Sequence, residues 1–317
     1  TLNLVVVRRE GAHELSSILL AVGVRRNGGL YSLKVYLRLV THELFCVTYR
    51  GDARTAILLS DRHIFSDELS SAVLKDAGLK RSFNRSLFDV VALRYDVITR
   101  LLSFGWDQSW KDRMIRRIGL RRIREIVDIA TGTGDIARRL ANAFPEARVT
   151  GVDLSPEMLR RARRIASASG QGSLRRNETR RGLGFLQGDM THLPFADSSV
   201  DLLTGGYALR NAPDLKAALE EVLRVLRPGG RFSFLDFANS GSPRVPLIAL
   251  WGRIWGLLLN RNADTYGYIA ESLARFPSPR ELQGLLESLG FTRVRRIPLM
   301  FGMVEIVEGQ APRSRVE

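Results

Sequence analysis

Val127–Asp135 reads VDIATGTGD, an apolar run that breaks into two closely spaced glycines and leads straight into a helix-patterned segment, Asp135–Ala143. Strand, glycine turn and helix in that order constrain the fold more than any other stretch of the chain. Gly132 and Gly134 lack the Cβ that would collide with a ligand passing close to the main chain. Alone, such a turn is equally a tight strand–helix connection.

The pattern then repeats. Arg148–Leu154 reads as a second strand, followed by a helix opening at Ser155-Pro156-Glu157, with Ser155 as N-cap and Pro156 at the first helical position. Phe185–Gln187, Val200–Gly205 and Arg231–Asp236 read as the third, fourth and fifth strands. The helix Leu215–Leu226 lies between the last two and is stopped by Arg227-Pro228-Gly229-Gly230. Pro279–Leu289 is a further helix, and Thr292–Ile297 with Val304–Val307 would close the sheet edge as a hairpin. Alternation of this kind predicts an α/β fold, a parallel sheet covered on both faces. Upstream, Phe88–Gly105 has helical spacing, and Trp110–Ile123 is a helix candidate with Arg113, Arg116, Arg117, Arg121 and Arg122 on its wet side.

Residues 1–80 hold no period for long. They are expected to be an N-terminal extension to a domain spanning 81–317, and could be a small domain, a partly ordered leader or translated upstream sequence. Turns are expected near Asn27-Gly28-Gly29 and Arg50-Gly51-Asp52. The chain opens on Thr1, which suggests trimming, and Thr1–Val7 is too short for a signal peptide. The longest apolar stretch, Val245–Asn260, is interrupted by Arg253 and falls short of the ~20 residues a membrane span needs.

A single cysteine, Cys46, excludes a disulfide framework or a cysteine-based zinc cluster within one chain. The formal charge of +15 raises nucleic acid or anionic lipid as partners. Nearly all of it is arginine, however, and the Ser-, Gly- and Arg-rich stretch Arg164–Gly184 contains no aromatic residue to stack a base, nor does Arg160–Arg181. Nucleic acid is therefore disfavoured as a partner.

Two acids give the glycine turn a chemical context. Asp153 ends the second strand in TGVDLS, where a carboxylate can accept from a ribose diol. Asp189 ends the third in LQGDM, where it can receive an adenine amine. Each acid alone would be read as a cap or turn residue, but their placement on successive strands points to a nucleoside. Asp135, just past the glycines, would repel a pyrophosphate and tolerate a cation. S-adenosyl-L-methionine has an adenosine, a sulfonium and an ammonium and no phosphate, so charge favours it over a dinucleotide.

Beyond the glycine turn, the segments FDVVALRYDVITRLLSFGWDQSW, GVDLSPEML, QGDMTHLPFADSSVDLLTGGYALRN, RVLRPGGRFSFLDF and YGYIAESLARFPS are similar to the ubiquinone/menaquinone biosynthesis C-methyltransferases. The resemblance runs from about Phe88 to Gly309. It implies the Rossmann-like class I methyltransferase fold: a mostly parallel seven-stranded sheet with helices on both faces and a C-terminal antiparallel hairpin. It also implies S-adenosylmethionine-dependent methylation of a ring carbon on a demethylated, polyprenylated quinol. By position it assigns cofactor binding to Asp128, Gly132, Thr133, Gly134, Asp153, Asp189, Met190 and Gly206, and catalysis to Arg210 and Asn211. A cytoplasmic location, peripheral contact with the inner face of the membrane and a homodimer are compatible with it.

The sequence departs from that family at Ile98-Thr99 (usually Met-Asn), Asp107 (usually His), Thr131 (usually Gly) and Asp236 (usually Glu). These departures leave open another small aromatic or lipid-like acceptor. His192 is a weaker candidate base, Val245–Leu259 with Trp251 and Trp255 a candidate groove or surface for the tail, and Tyr266 and Tyr268 candidates to flank the ring.

Overall fold

A computed structural model describes residues 19–27, 30–38, 44–51, 78, 80–81, 84–85, 88, 103, 105–119, 122–170, 182–239, 272–273 and 275–313. The expectations for Val245–Leu259, Tyr266 and Tyr268, for most of Phe88–Gly105 and for the centre of the Arg-rich stretch fall outside these residues. The chain divides into two compact units, Thr1–Ser86 and Leu87–Glu317.

In the first unit, β1 (Leu19–Asn27), β2 (Leu30–Arg38) and β3 (Leu44–Gly51) form an antiparallel three-stranded sheet in sequence order. β1 and β2 are paired antiparallel up to Asn27↔Leu30; the two glycines of the turn expected there, Gly28 and Gly29, lie outside the described residues. The turn expected at Arg50-Gly51 is corrected: both residues are in β3, paired with Ser32 and Tyr31. The three strands are joined by backbone pairing between separate segments of the chain, which one-strand periodicity does not reveal.

The second unit contains α1 (Asp107–Arg117), β4 (Glu125–Ile129), α2 (Asp135–Ala143), β5 (Arg148–Asp153), α3 (Pro156–Ala168), β6 (Gly182–Gln187) and β7 (Val200–Gly206). After β7 come a single 3-10 turn (Leu209–Asn211), α4 (Leu215–Val225), β8 (Leu226–Phe237), α5 (Pro279–Ser288), β9 (Thr292–Leu299) and β10 (Val304–Gln310). The sheet order is β6-β5-β4-β7-β8-β10-β9. The first five strands are parallel, while β10 runs antiparallel to both β8 and β9. The expected hairpin is present, with its second strand inserted between the first and the parallel sheet.

The chain moves outward from β4 through β5 to β6, then returns to lay β7 and β8 on the other side of β4. This reversal opens a crevice at the carboxyl ends of β4 and β7, the place where open α/β sheets bind ligands. Both faces of the sheet are covered. Trp110 and Met114 of α1 and Ile136 and Leu140 of α2 pack on Ile126, Leu202 and Leu235. Leu219 and Val222 of α4 and Leu282 and Leu286 of α5 pack on Val127, Leu203, Phe232 and Phe234.

Local chemistry sets the boundaries. Ser155 accepts from the Met158 amide (3.1 Å), and Ser278 and Glu281 form a reciprocal capping box at the start of α5. The predicted helix Trp110–Ile123 is corrected to Asp107–Arg117, because Gly119 adopts φ +52° and turns the chain out of the helix. The fifth strand begins at Leu226, earlier than Arg231, since Leu226 already pairs with Val200 across an irregular register.

Candidate cofactor and substrate site

The site grows from the end of β4. Asp128 is fully buried and accepts from the hydroxyls of Thr131 (2.6 Å) and Thr204 on β7 (2.7 Å). Thr131, unusual for the family resembled, thus ties the glycine turn to the strand that precedes it. Gly151 makes room for it: a Cβ there would lie 2.8 Å from the Thr131 Oγ1. Burial raises the Asp128 carboxyl to about 6, against the pull of the Thr131 and Thr204 hydroxyls, with Asp153 reinforcing the rise and Lys111 opposing it.

The turn is held from the next strand as well. The Gly132 amide donates to Asp153 Oδ2 (2.8 Å), and the Ser155 amide donates to Asp153 Oδ1 (2.9 Å). A carboxylate offers about four acceptor positions in all, the chemistry a ribose diol calls for. Gly132 and Gly134 have φ +55° and +76°, the left-handed region that glycine occupies without strain. Thr133 is buried, and its carbonyl accepts from Arg138 (2.9 Å). A Cβ on Gly134 would sit 2.7 Å from the Phe185 ring. Gly170 has a similar φ of +72° and open space around it. Gly134→Ala is therefore expected to lower unfolding free energy by about 2 kcal/mol more than Gly170→Ala, read by denaturant titration.

At the end of β6, Asp189 Oδ1 accepts from the amide (2.9 Å) and the hydroxyl (2.8 Å) of Thr191, and Met190 packs against the core beneath. His192 Nδ1 lies 3.1 Å from the same Thr191 hydroxyl, on the Asp189 rim. Gly206 closes β7, where a Cβ would fall 2.5 Å from Ile136 of α2. The strand ends thus bring Asp128, the Gly132–Gly134 turn, Asp153, Asp189 and Gly206 to one edge of the sheet.

Arg210 and Asn211 form the 3-10 turn just past β7, and both are buried. The Arg210 amide donates to Asp236 Oδ2 (3.2 Å), its Nη1 donates to Ser272 Oγ (2.6 Å), and its Nε lies 3.9 Å from Asp236 Oδ1. Its guanidinium also stands 5.8 Å over the Phe237 ring. Asn211 donates to the Tyr207 carbonyl (2.9 Å). Burial raises Asp236 to about 6, with Arg210 and three main-chain amides pulling the other way. Sequence reading singled out Asp236 only as a departure, and missed Ser272. The signal for Asp236 was its place at a strand's carboxyl end; Ser272, 62 residues from Arg210, gave none.

The donor set fits the cationic cofactor. Carboxylates surround the glycine turn, and the N-terminus of α2 carries Asp135, held to about 2: burial alone would raise it, but Lys111, Arg139 and Arg138 together outweigh that. An ionised acid at that position opposes phosphate.

Solved structures with the same fold include a chain of the complex between the Haloferax volcanii Trm112 methyltransferase activator and the putative methyltransferase (TM-score 0.52, 22% identity, 74% of this chain and 99% of that one). Another is the [4+2]-cyclase SpnF (TM-score 0.52, 17% identity, 73% and 96%). Fold and sequence together define an S-adenosylmethionine-dependent methyltransferase. The sequence profile of the ubiE/COQ5 methyltransferase family matches residues 75–310, and the chain belongs to that family. Curated relatives include a demethylmenaquinone methyltransferase of Desulfitobacterium hafniense, 34% identical over 244 residues, covering 74% of this chain and 92% of that protein. A ubiquinone/menaquinone biosynthesis C-methyltransferase of Syntrophotalea carbinolica is 38% identical over 235 residues, covering 71% and 92%.

Proposed function

We propose that this protein methylates a ring carbon of a demethylated quinol bearing a polyprenyl tail, in quinone biosynthesis. Two things support the reading: the names of the curated relatives, and one observation in the structure. A buried arginine, Arg210, is fixed by Asp236 and Ser272 at the carboxyl end of β8, next to the strand ends that form the glycine-turn crevice.

S-adenosylmethionine supplies an electrophilic methyl group when bound. Asp128, Gly132, Thr133, Gly134, Asp153, Asp189, Met190 and Gly206 hold it in this reading, with Asp153 accepting from the ribose diol. A neutral quinol carbon is a poor nucleophile. Loss of a ring hydroxyl proton places electron density on the neighbouring carbon, and the resulting phenolate needs a fixed positive partner. Arg210 supplies that partner and stays charged throughout, since guanidinium does not give up its proton in proteins. Asn211 orients the same oxygen. The methyl–sulfur bond would break, its electron pair staying on sulfur, as the new carbon–carbon bond forms, and the ring carbon's hydrogen would leave as a proton to water, restoring aromaticity.

The polyprenyl tail places the substrate in a bilayer, so the enzyme works at a membrane surface by peripheral contact. Among the described residues no helix is long and apolar enough to cross a membrane. Residues 81–317 carry the methyltransferase, and residues 1–80 are an extension to it.

The test is incubation with labelled S-adenosylmethionine and a lipid extract from cells lacking the endogenous quinone methyltransferase. Label in a methylated polyprenyl quinone, identified by mass, supports the reading; label in RNA or in a tail-less aromatic overturns it.

The raised Asp128 gives a pH dependence. Burial opposes its ionisation, so Asp128 costs the apo fold stability as pH climbs from about 4 through 6. The cationic cofactor favours the ionised form. Affinity for S-adenosylmethionine is therefore expected to increase as pH rises through 6, by up to about tenfold per unit below it, and to level off above 7. Calorimetry at pH 5, 6, 7 and 8 should show this slope in the wild type and lose it in Asp128→Asn.

A further inference from the structure

Helix α1 is bolted to the N-terminus of α2 by a buried ammonium. Lys111 Nζ lies 2.9 Å from Asp107 Oδ2 and 3.0 Å from Asp135 Oδ2. Asp107 and Lys111 are both buried, one helical turn apart on α1, and Asp135 is the first residue of α2. Around this core, Gln108 donates to both Asp107 (2.8 Å) and Asp135 (3.3 Å), and Ser103 donates to Asp107 Oδ1 (3.2 Å). Arg139 bonds Asp135, Asp112 and Gln108, and Arg138 joins Asp135 to the Thr133 carbonyl inside the glycine turn. Ser103, Asp107, Gln108 and Asp112 are thus tied, directly or through Lys111 and Arg139, to Asp135 at the end of the turn that follows β4.

A structural ion pair has no need of such a location. Breaking a buried pair leaves an uncompensated charge, so Lys111 fixes where Asp135 sits, and with it Gly134 and the start of α2. Its field also reaches Asp128 on the other side of the turn, where it opposes the rise in that carboxyl. Asp107 stands where the resembled family usually has histidine; it supplies the second carboxylate, so that Lys111 is gripped from α1 and α2 together.

We propose that Lys111 is a positioning residue for S-adenosylmethionine: held between Asp107 and Asp135, it locks α1 over the glycine turn and sets that turn in its binding geometry. The inference rests on the cofactor occupying the glycine turn. It makes a prediction opposite in sign to that of simple electrostatics. Removing a nearby positive charge should by itself favour a cationic ligand. Loss of a positioning residue weakens binding whatever the ligand's charge at sulfur.

The experiment is calorimetric titration of the full chain with S-adenosylmethionine and with S-adenosylhomocysteine, whose sulfur is neutral. Lys111→Met is expected to weaken both by a common factor of about tenfold, and Lys111→Arg to restore most of the loss. Asp107→Asn keeps the Lys111–Asp135 pair but removes its anchor on α1, and is expected to weaken both ligands equally and by less. It serves as the readout if Lys111→Met does not fold. Hydrogen exchange in α1 should slow on cofactor addition in the wild type and respond less in a folded variant. Unchanged affinity for S-adenosylhomocysteine in a folded variant would overturn the proposal, as would S-adenosylmethionine binding the variant more tightly than the wild type. Failure of the wild type to bind either ligand would instead sink the cofactor placement itself.

Discussion

Arg210→Ala is expected to lower kcat by about 100- to 1,000-fold while leaving the dissociation constant for S-adenosylmethionine within about threefold of wild type. The magnitude follows from the removal of one fixed donor from a developing oxyanion in a water-poor site. The split follows from the structure: Arg210 is held by Asp236, Ser272 and the Phe237 ring, on the β8 side of the crevice, whereas the glycine turn is held by Asp128 through Thr131 and by Asp153. Arg210→Lys would keep the charge but not the planar fork, and should recover only part of the rate. Asp236→Asn separates holding from chemistry. It keeps an acceptor for one of the main-chain amides but removes the charge facing Nε, so turnover should fall less than in Arg210→Ala, with a changed pH profile. Single-turnover kinetics with pre-bound cofactor and a short-tailed demethylated quinol measure these effects. A kcat for Arg210→Ala within twofold of wild type would remove Arg210 from the reaction.

The parts of this fold that could be read in the sequence are those whose determinants are local. Ser155-Pro156 caps α3 because the Ser155 hydroxyl reaches an amide only three residues on. The glycine turn could be read because its two glycines carry positive φ that other residues adopt only under strain. Strand-end acids followed from strand boundaries, which apolar runs mark well in a sheet buried on both faces. What could not be read depends on partners far away in the chain. The position of β10 between β8 and β9 is set by antiparallel pairing on both of its sides, to which a local hairpin signal is blind. The N-terminal sheet depends on cross-strand register in the same way. Nothing near Lys111 in the sequence marks it, and only the approach of Asp135, 24 residues later, turns it into a bridge. The Asp236–Arg210–Ser272 grouping spans 62 residues between Arg210 and Ser272 alone. The site was therefore visible where one strand end supplies one contact, and hidden where two elements share one.

Asp153→Asn is expected to weaken S-adenosylmethionine binding by about 100-fold, corresponding to about 2.7 kcal/mol. Two losses combine. In the wild type both carboxylate oxygens accept main-chain amides, from Gly132 and from Ser155. An amide side chain must turn its own NH2 toward one of those donors, so either the glycine turn or the entry to α3 loses its acceptor. Hydrogen bonds to a charged group contribute about 1.5–3 kcal/mol each, and an unsatisfied donor left behind adds to the cost. The ribose contact is the second loss, and it can be isolated. The wild type should discriminate against a 2′-deoxyadenosyl analogue of the cofactor, whereas Asp153→Asn should bind that analogue and the parent with nearly equal affinity. Because S-adenosylhomocysteine carries the same diol, it should weaken by the same factor as S-adenosylmethionine. Full discrimination retained in the variant would show that the diol is read elsewhere, and the strand-end carboxylate would then be an anchor for the glycine turn alone.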